Sequence, residues 1–513
     1  MGIEWLEGQR MIGKSSNENT PMVVARTDIR LSEGKIHQWD EHEIKFHIPP
    51  RFTIPEELGI PLSPRVFTAT YFDSEQHLLG KLGLTLRKRV ERGRGVWQLK
   101  IPSGEYRIEL EIDSGSRHIP GQFLDLLTAF FRKHEPVQLG KLRTWRTGRV
   151  IQEEGKFVAE VTLDSVALLR ENKIISRFRE MELELQEGKS GHLTFIRKIL
   201  QKAGSKPKSL QPKIFQALQL PYPITDPQIK PSAPPTEHIR ASLQTQINQM
   251  LIHDPGTRLG RDSEALHQMR VATRRLRAII RTVRTFLEPE WTKKIRQEVG
   301  WIGSLLGEVR DWDVLLESLR KECSDLHSKE ERAFLLIQNT FQDEQSMARG
   351  RLLEGLGSDR YLALLNTLED SLAHLPFQSE HPTMVDLARK AFAKLEECVE
   401  STQGRFLKQE LHHTRILVKR ARYTVELAEP FLRKQARRFL QQSKSLQEVL
   451  GQHQDALVVE HQLLSHRALT RSPGVAFVKG ILVERFRNRQ KVARQNLPQL
   501  WEKLQKLGKK LPT

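Results

Sequence analysis

Only two cysteines, Cys323 and Cys398, occur in 513 residues. That is too few for a disulfide framework, and they lack the paired spacing of a zinc site, so a reducing compartment is expected. Long apolar runs are missing too: nowhere do about 18 uncharged apolar residues follow one another. The first thirty residues carry Glu4 and Glu7 and lack the apolar core of a signal peptide. The expectation is a cytoplasmic protein with no membrane span. Glycine (31) and proline (25) are too sparse for a collagen-like repeat, and 38 % hydrophobic with 28 % charged residues excludes a wholly disordered chain. Negative charge is also in deficit. Lys and Arg number 82 against 63 Asp and Glu, a net +19, which favours polyanions such as nucleic acid, anionic lipid surfaces or polyphosphate as partners.

The length suffices for several cores. Residues 1–36 are polar and aperiodic and read as an extension. From Trp39 to about Leu220, short alternating segments are broken by turn residues; from about Thr236 the pattern is long, Leu-rich and helical. The proline-rich stretch 223–236 between them reads as a linker. The predicted fold is therefore α+β and multidomain: an antiparallel β domain over 37–222, then an all-α domain over 237–510.

In the first domain Glu41, Glu43 and Lys45 alternate with Ile44, Phe46 and Ile48, so a strand would carry charge on one face and apolar groups on the other. The construction recurs with Arg87 and Arg89, with Arg107, Glu109 and Glu111, and with Glu180, Glu182 and Glu184. One such face would simply meet water. Three carboxylates at i, i+2 and i+4 repel one another, however, and call for a cation between them. If the sheet closes into a barrel, these faces converge on an interior where carboxylates hold a hard divalent ion and the basic set neutralises phosphoryl oxygens.

Glu41-x-Glu43-x-Lys45 is an ExExK signature. With TYFDSEQ at 70–76, LRKR at 86–89, WQLK ending at Lys100, RIELE at 107–111 and EMELELQEG at 180–188, the segment 39–220 resembles the CYTH family of triphosphate tunnel metalloenzymes. The resemblance implies an eight-stranded antiparallel tunnel barrel that binds a triphosphate with Mg²⁺ or Mn²⁺; members include inorganic and thiamine triphosphatases and adenylate cyclases. It implies Glu41, Glu43, Glu182 and Glu184 as metal ligands, with Glu109 and Glu111 as additional contacts. Lys45, Arg87, Arg89, Lys100, Arg107 and Arg146 would grip phosphates, and Lys45 would also orient or activate the attacking water as a catalytic residue.

In the second domain His267, Arg270, Arg274, Arg277, Arg281 and Arg284 recur at steps of three and four, which on a helix forms one cationic stripe. Met269, Ala272, Leu276, Ile279, Val283 and Phe286 repeat the steps on the opposite side as the core face. Cations in line without interleaved glutamate forgo the usual i,i+4 pairs, and an absent anion is the economical explanation. The unit is duplicated: LHQMRVATRRLR at 266–277 aligns with LHHTRILVKRARY at 411–423, and SLLGEVRDWD at 304–313 with EVLGQHQD at 448–455. His412, Arg415, Lys419, Arg420 and Arg422 thereby fall on His267, Arg270, Arg274, Arg275 and Arg277, and Asp455 on Asp311. The second copy turns acidic at Glu426 and Glu429, which predicts a lopsided charge.

These strings resemble the CHAD domain over about 237–510, with repeats at about 237–380 and 381–510. The family implies two pseudo-symmetric helical bundles around a basic cavity that binds inorganic polyphosphate, with His267, Arg270, Arg274, Arg275, Arg277, Arg281, His412, Arg415, Lys419, Arg420 and Arg422 as the binding set. The cationic neighbours of His267 and His412 disfavour a metal there, and Asp311 and Asp455 read as partners that orient arginines. The leading expectation is an inorganic triphosphatase, a phosphoanhydride hydrolase, joined to a polyphosphate-binding domain that could associate with polyphosphate granules. The alternatives are a non-catalytic polyphosphate-binding scaffold and adenylate cyclase activity in the tunnel. Nucleic acid is disfavoured as partner because the arginine stripe has no interleaved aromatic platform.

Overall fold

The structure, a computed structural model, describes residues 27–31, 34–104, 106–186, 190–220, 222, 229–261, 263–323, 328–378, 383–401, 406, 410–466, 469 and 472–511. Two compact units form, Met1–Ile224 and Thr225–Thr513.

Among the described residues the first unit has ten strands: β1 (Thr27–Leu31), β2 (Gly34–His47), β3 (Ile60–Asp73), β4 (Thr85–Glu91), β5 (Arg94–Ser103), β6 (Tyr106–Asp113), β7 (Val137–Glu153), β8 (Lys156–Arg170), β9 (Lys173–Leu185) and β10 (Lys206–Lys208). Five helices accompany them: α1 (Leu78–Lys81), α2 (Gly121–Leu126), α3 (Thr128–Phe131), α4 (Ser190–Lys202) and α5 (Lys213–Ala217). Strands β2 to β9 run antiparallel in the order β2-β6-β5-β4-β3-β7-β8-β9, and β9 returns to β2, which closes an eight-stranded barrel. Closure depends on the length of β2, whose residues His37–Glu41 pair with β6 and His42–Phe46 with β9. Its first half would leave an open edge beside β9, and β1 covers it. The expected extension over 1–36 thus gives way at its end to strand, while residues 1–26 lie outside the described residues.

Two-residue hairpins set the register of successive strands. Arg92-Gly93 and Glu154-Gly155 both take positive φ at each position, the type I′ geometry that matches strand twist. Alternation along the strands then sorts the two faces. Phe46, Val161, Met181 and Leu183 face outward and are covered by Ile196 and Leu200 of α4, while Ala69, Leu142, Val166 and Leu168 are covered by Ile214 and Phe215 of α5. The apolar core of this barrel lies outside its wall and the charge inside. Asp73, from the TYFDSEQ segment, is structural: its buried carboxylate accepts the N–H groups of Ser74, Leu79 and Gly80 at 2.7–2.9 Å and ties α1 to β3.

The second unit is helical: α6 (Pro235–Leu259), α7 (Ser263–Thr282), α8 (Pro289–Glu322), α9 (Ser328–Gly357), α10 (Asp359–Ala373), α11 (Met384–Glu400), α12 (Leu411–Leu427), α13 (Glu429–Leu432), α14 (Lys434–Ser465) and α15 (Pro473–Gly508). Helix α6 begins inside the expected linker because Pro235 takes the first helical position, where its missing N–H is not needed. The two aligned strings lie on α7 with α8 and on α12 with α14, and α7 packs against α12. Met269, Ala272, Leu276 and Ile279 are buried as predicted. The stripe itself is shorter than the period suggests. Helix α7 ends at Thr282, and Arg284 lies beyond it, because the chain turns to pair with the segment at 376–378: Glu288 N–H donates to Pro376 and Gln378 N–H to Phe286.

Candidate functional site

Strand register brings opposite charges side by side inside the barrel. Glu41 stands beside Arg107, Lys45 beside Glu182, Lys100 beside Glu109 and Arg146 beside Asp164. Every tunnel residue expected from the sequence, namely Glu41, Glu43, Lys45, Arg87, Arg89, Lys100, Arg107, Glu109, Glu111, Arg146, Glu182 and Glu184, lines one cavity of about 230 Å³.

The cavity holds two linked ionic clusters. In one, Lys100 contacts Glu41 and lies 3.0 Å from Glu109, while Arg107 lies 3.0 Å from Glu43. Gln98 donates to Glu109 at 2.9 Å and accepts from Arg87 at 2.6 Å, and Arg87 also donates to Tyr71 Oη. In the other, Arg146 grips Asp164 through Nε and Nη2, both at 2.7 Å, and Lys45 approaches Glu182 at 3.0 Å. Burial would raise the Glu182 carboxyl, but Lys213, Lys45 and Arg146 outweigh it and hold it well below the usual range. Burial would likewise strip Lys45 of its proton, yet Glu43, Glu180 and Glu182 keep its ammonium more firmly protonated than usual. As a firmly protonated ammonium, Lys45 is suited to donating hydrogen bonds to water or a phosphoryl oxygen rather than to accepting a proton.

Glu41 and Glu184 behave oppositely. Burial pushes Glu41 up to about 7, with Lys100 opposing and Glu43 and Glu109 adding to it. Burial, then Glu41, pushes Glu184 up to about 8. These are carboxyl groups crowded by their own kind.

The helical unit gathers cations with few counter-charges. Arg270 lies against Gly303 and Gly307 of α8 and Arg277 against Gly300, and at Gly307 and Gly300 a side chain would crowd the guanidinium groups. Burial and then Arg274 draw the Arg270 pKa down, with Asp311 opposing; burial does the same to Arg415, with Asp455 opposing and Arg274 reinforcing. Lys419 is half-buried, and that burial, then Arg415, Arg274 and Arg270, lowers it to about 7. Arg281, Arg284, Arg296 and Arg420 continue the cluster. The buried Nε atoms of Arg274, Arg296, Arg415 and Arg420 have no hydrogen-bond acceptor. Burial, then Arg310, lowers the His267 pKa, so this histidine is a neutral member of the stripe rather than a cation. Arg275 pairs with Glu426 at 3.4 Å, Arg422 donates to Gln447 at 3.0 Å and His412 lies 3.4 Å from Gln454, so these three are engaged elsewhere.

A CYTH domain family model matches residues 40–214 and a CHAD domain model residues 241–464. The chain joins a CYTH domain to a CHAD domain. An uncharacterized protein of Mycobacterium tuberculosis, MT2285, is 26 % identical over 511 residues, covering 92 % of this chain and 97 % of its own. The solved CHAD domain of the plant Ricinus communis is 23 % identical, with 56 % of this chain and 96 % of that one covered at a TM-score of 0.44. A putative adenylyl cyclase from Hippeastrum, HpAC1, described as having a dominant triphosphatase activity, is 16 % identical, covers 36 % of this chain and 97 % of that one, and gives a TM-score of 0.24.

CYTH tunnel enzymes are metal-dependent, generally with Mg²⁺ or Mn²⁺, and the CYTH carboxylates here fit such an ion by their chemistry. Glu41 Oε2 is buried without a hydrogen-bond partner among the described residues, and burial together with neighbouring carboxylates raises Glu41 to about 7 and Glu184 to about 8, a crowding that a divalent ion would relieve. Among the described residues no three acidic, histidine or cysteine side chains already stand in metal-holding geometry; Lys100 and Arg107 sit between these carboxylates instead.

Lys213 was not foreseen. It enters the CYTH cavity from α5, 2.7 Å from both Asp164 and Glu182 and 3.3 Å from Glu180. No strand alternation marks it, since it lies after the barrel. Lys213→Met leaves those buried carboxylates short of a cation and is expected to cost about 3–5 kcal/mol, read as faster hydrogen exchange of β8 and β9 amides. A loss under about 1 kcal/mol would show that Arg146, Lys45 and Lys208 suffice without it.

Proposed function

We propose that the CYTH unit hydrolyses a short triphosphate, inorganic tripolyphosphate first, with Mg²⁺ or Mn²⁺, and that the CHAD unit binds inorganic polyphosphate and can hold the protein at polyphosphate granules. The observation that carries the reading is the single cavity in which cations suited to phosphoryl oxygens and under-neutralised carboxylates suited to a divalent ion line the same wall. Arg87, Arg89, Arg107 and Arg146 present guanidinium forks to phosphate oxygens. Lys45 donates to the reacting centre, and Glu41, Glu43 and Glu184 hold the metal, with Glu182, Glu109 and Glu111 able to contribute. A bound divalent ion would polarise a phosphoryl oxygen and offset charge there. Phosphate release from tripolyphosphate with Mg²⁺, with Mn²⁺ and with chelator tests the assignment. Release only with metal supports it; no release with either metal moves the reading to a binding scaffold, and a cyclic product from ATP moves it to a cyclase.

In the CHAD unit, Lys419 gives polyphosphate binding a pH signature. Free, its amine titrates at about 7; beside bound phosphate it is stabilised as ammonium, so binding takes up a proton above that pH. Affinity is expected to fall by up to about tenfold per pH unit above pH 7. Lys419→Arg, which stays charged, should flatten the profile. Calorimetry in buffers of different ionisation enthalpy would detect the proton, and equal heats in all of them would rule it out.

A further inference from the structure

The two repeats of the CHAD unit differ in the chemistry of one cation. Arg274 of α7 is aligned with Lys419 of α12, so a position that carries a guanidinium in the first repeat carries an amine in the second. A guanidinium stays protonated and is no nucleophile, whereas an amine can lose its proton and attack. In the CYTH unit the buried lysines are matched by carboxylates: Lys45 lies 3.0 Å from Glu182, Lys208 2.6 Å from Glu180 and Lys213 2.7 Å from Asp164. Lys419, among the described residues, forms no ion pair and no hydrogen bond. Around it stand Arg415 from its own helix, Arg274 and Arg270 from α7 and, as counter-charge, Asp455 from α14. The buried Nε atoms of Arg274 and Arg415 lack acceptors among the described residues. Yet Arg270, Arg274, Arg415 and Lys419 are each only half-buried, so a solute can reach them.

We propose that this cluster is an acylation site, at which an acyl phosphate sets its phosphate against Arg270, Arg274 and Arg415 and passes its acyl group to Lys419 Nζ. A lysine placed beside other cations is activated as a nucleophile because its free amine is populated at neutral pH. Burial, then Arg415, Arg274 and Arg270, bring this one to about 7; on an ordinary lysine only on the order of one amine in a thousand is free there. The arginines that free the amine also offer donors to the phosphate. In the reaction Nζ bonds to the carbonyl carbon and the bond from that carbon to the phosphate oxygen breaks. Phosphate leaves with the electron pair, and the proton lost by nitrogen passes to it, so the products are an amide on Lys419 and inorganic phosphate. Guanidinium donors stabilise the charge that gathers on the departing phosphate. The product favours acyl phosphates over phosphorylated aldehydes: an amide is neutral and relieves the crowding of like charge, whereas a protonated imine would return a cation to it. Nothing in this step calls on the barrel, and it holds whether or not the CYTH unit hydrolyses a triphosphate.

The test uses the full-length protein and acetyl phosphate, with acetylation at each lysine followed by mass spectrometry. Lys419 is expected to acetylate at least about tenfold faster than the exposed Lys444 and Lys506. Its rate should level off as acetyl phosphate is raised, fall when inorganic phosphate is added, and reach a plateau just above pH 7 where those of the exposed lysines climb toward about pH 10. Equal rates at the three lysines would overturn the proposal, and so would a Lys419 rate that inorganic phosphate leaves unchanged or that keeps climbing with theirs. p-Nitrophenyl acetate carries the same acyl group without a phosphate and separates the free amine from the docking of the anion. With it the lead of Lys419 should shrink and inorganic phosphate should have no effect. An equal lead with both reagents would leave a reactive amine without a phosphate site and overturn the assignment to acyl phosphates.

Discussion

Replacing Glu41 and Glu43 together by glutamine is expected to lower metal-dependent phosphate release from tripolyphosphate by at least about 1000-fold. Removing a single group that stabilises transition-state charge in a dry site commonly costs about 100- to 1000-fold, and here two adjacent carboxylates are lost from one wall. Glutamine keeps the volume and still offers Lys100 and Arg107 a carbonyl oxygen, so the barrel should close as before. What it cannot supply is anionic oxygen for a divalent ion. The loss should appear in kcat, and raising Mg²⁺ should recover part of it if metal affinity is what fell. Retained polyphosphate binding by the helical unit would show the chain intact. A decrease below about tenfold, with metal dependence unchanged, would remove these two residues from the metal site.

The second large effect concerns the helical unit. Arg270→Glu/Arg415→Glu is expected to weaken polyphosphate binding more than about 100-fold. Arg270 stands near Asp311 and Arg415 near Asp455, and each has more cationic than anionic neighbours. Hydrogen bonds to charged groups contribute about 1.5–3 kcal/mol each, so losing two already exceeds about 100-fold, and the new carboxylates repel the ligand besides. The variants should not be unstable, because the wild-type site is itself crowded with like charge. Anisotropy of a labelled polyphosphate of fixed length reads the change. A loss under about fivefold would place the chain elsewhere on this unit.

Much of this was legible from period alone. Side chains two apart share a strand face, so Glu41, Glu43 and Lys45 had to point together; the apolar residues between them required the other face to be covered, and the charged face became the interior. Met269, Ala272 and Leu276 followed from the 3.6-residue period in the same way. What period could not show are contacts made across the chain. Lys213 completes a cluster begun by Asp164 and Glu182 but sits on a helix of five residues after the barrel. Arg275 is indistinguishable from its neighbours in the sequence, and only the packing of α12 on α7 brings Glu426 to it. Arg284 kept the spacing of the stripe after the helix had ended, because the following turn is dictated by pairing with the segment at 376–378.

The ion pairs that fill the closed barrel have one more consequence. Its counter-ions are its own side chains, tethered and dry, so under the proposed function a metal–triphosphate pair would have to arrive by exchange, phosphate taking the place of carboxylate beside the arginines and a divalent ion that of lysine beside the carboxylates. Little small-ion traffic with the solvent accompanies that swap, and ionic strength has little hold on it. The clustered arginines of the helical unit have fewer built-in partners, chiefly Asp311 and Asp455 beside Arg270 and Arg415, and diffusible anions would balance the rest. A polyphosphate chain that displaces those anions gains from their dilution, and gains less as salt rises. On the proposed reading, one polypeptide would carry two phosphate sites that answer differently to the ionic strength around them.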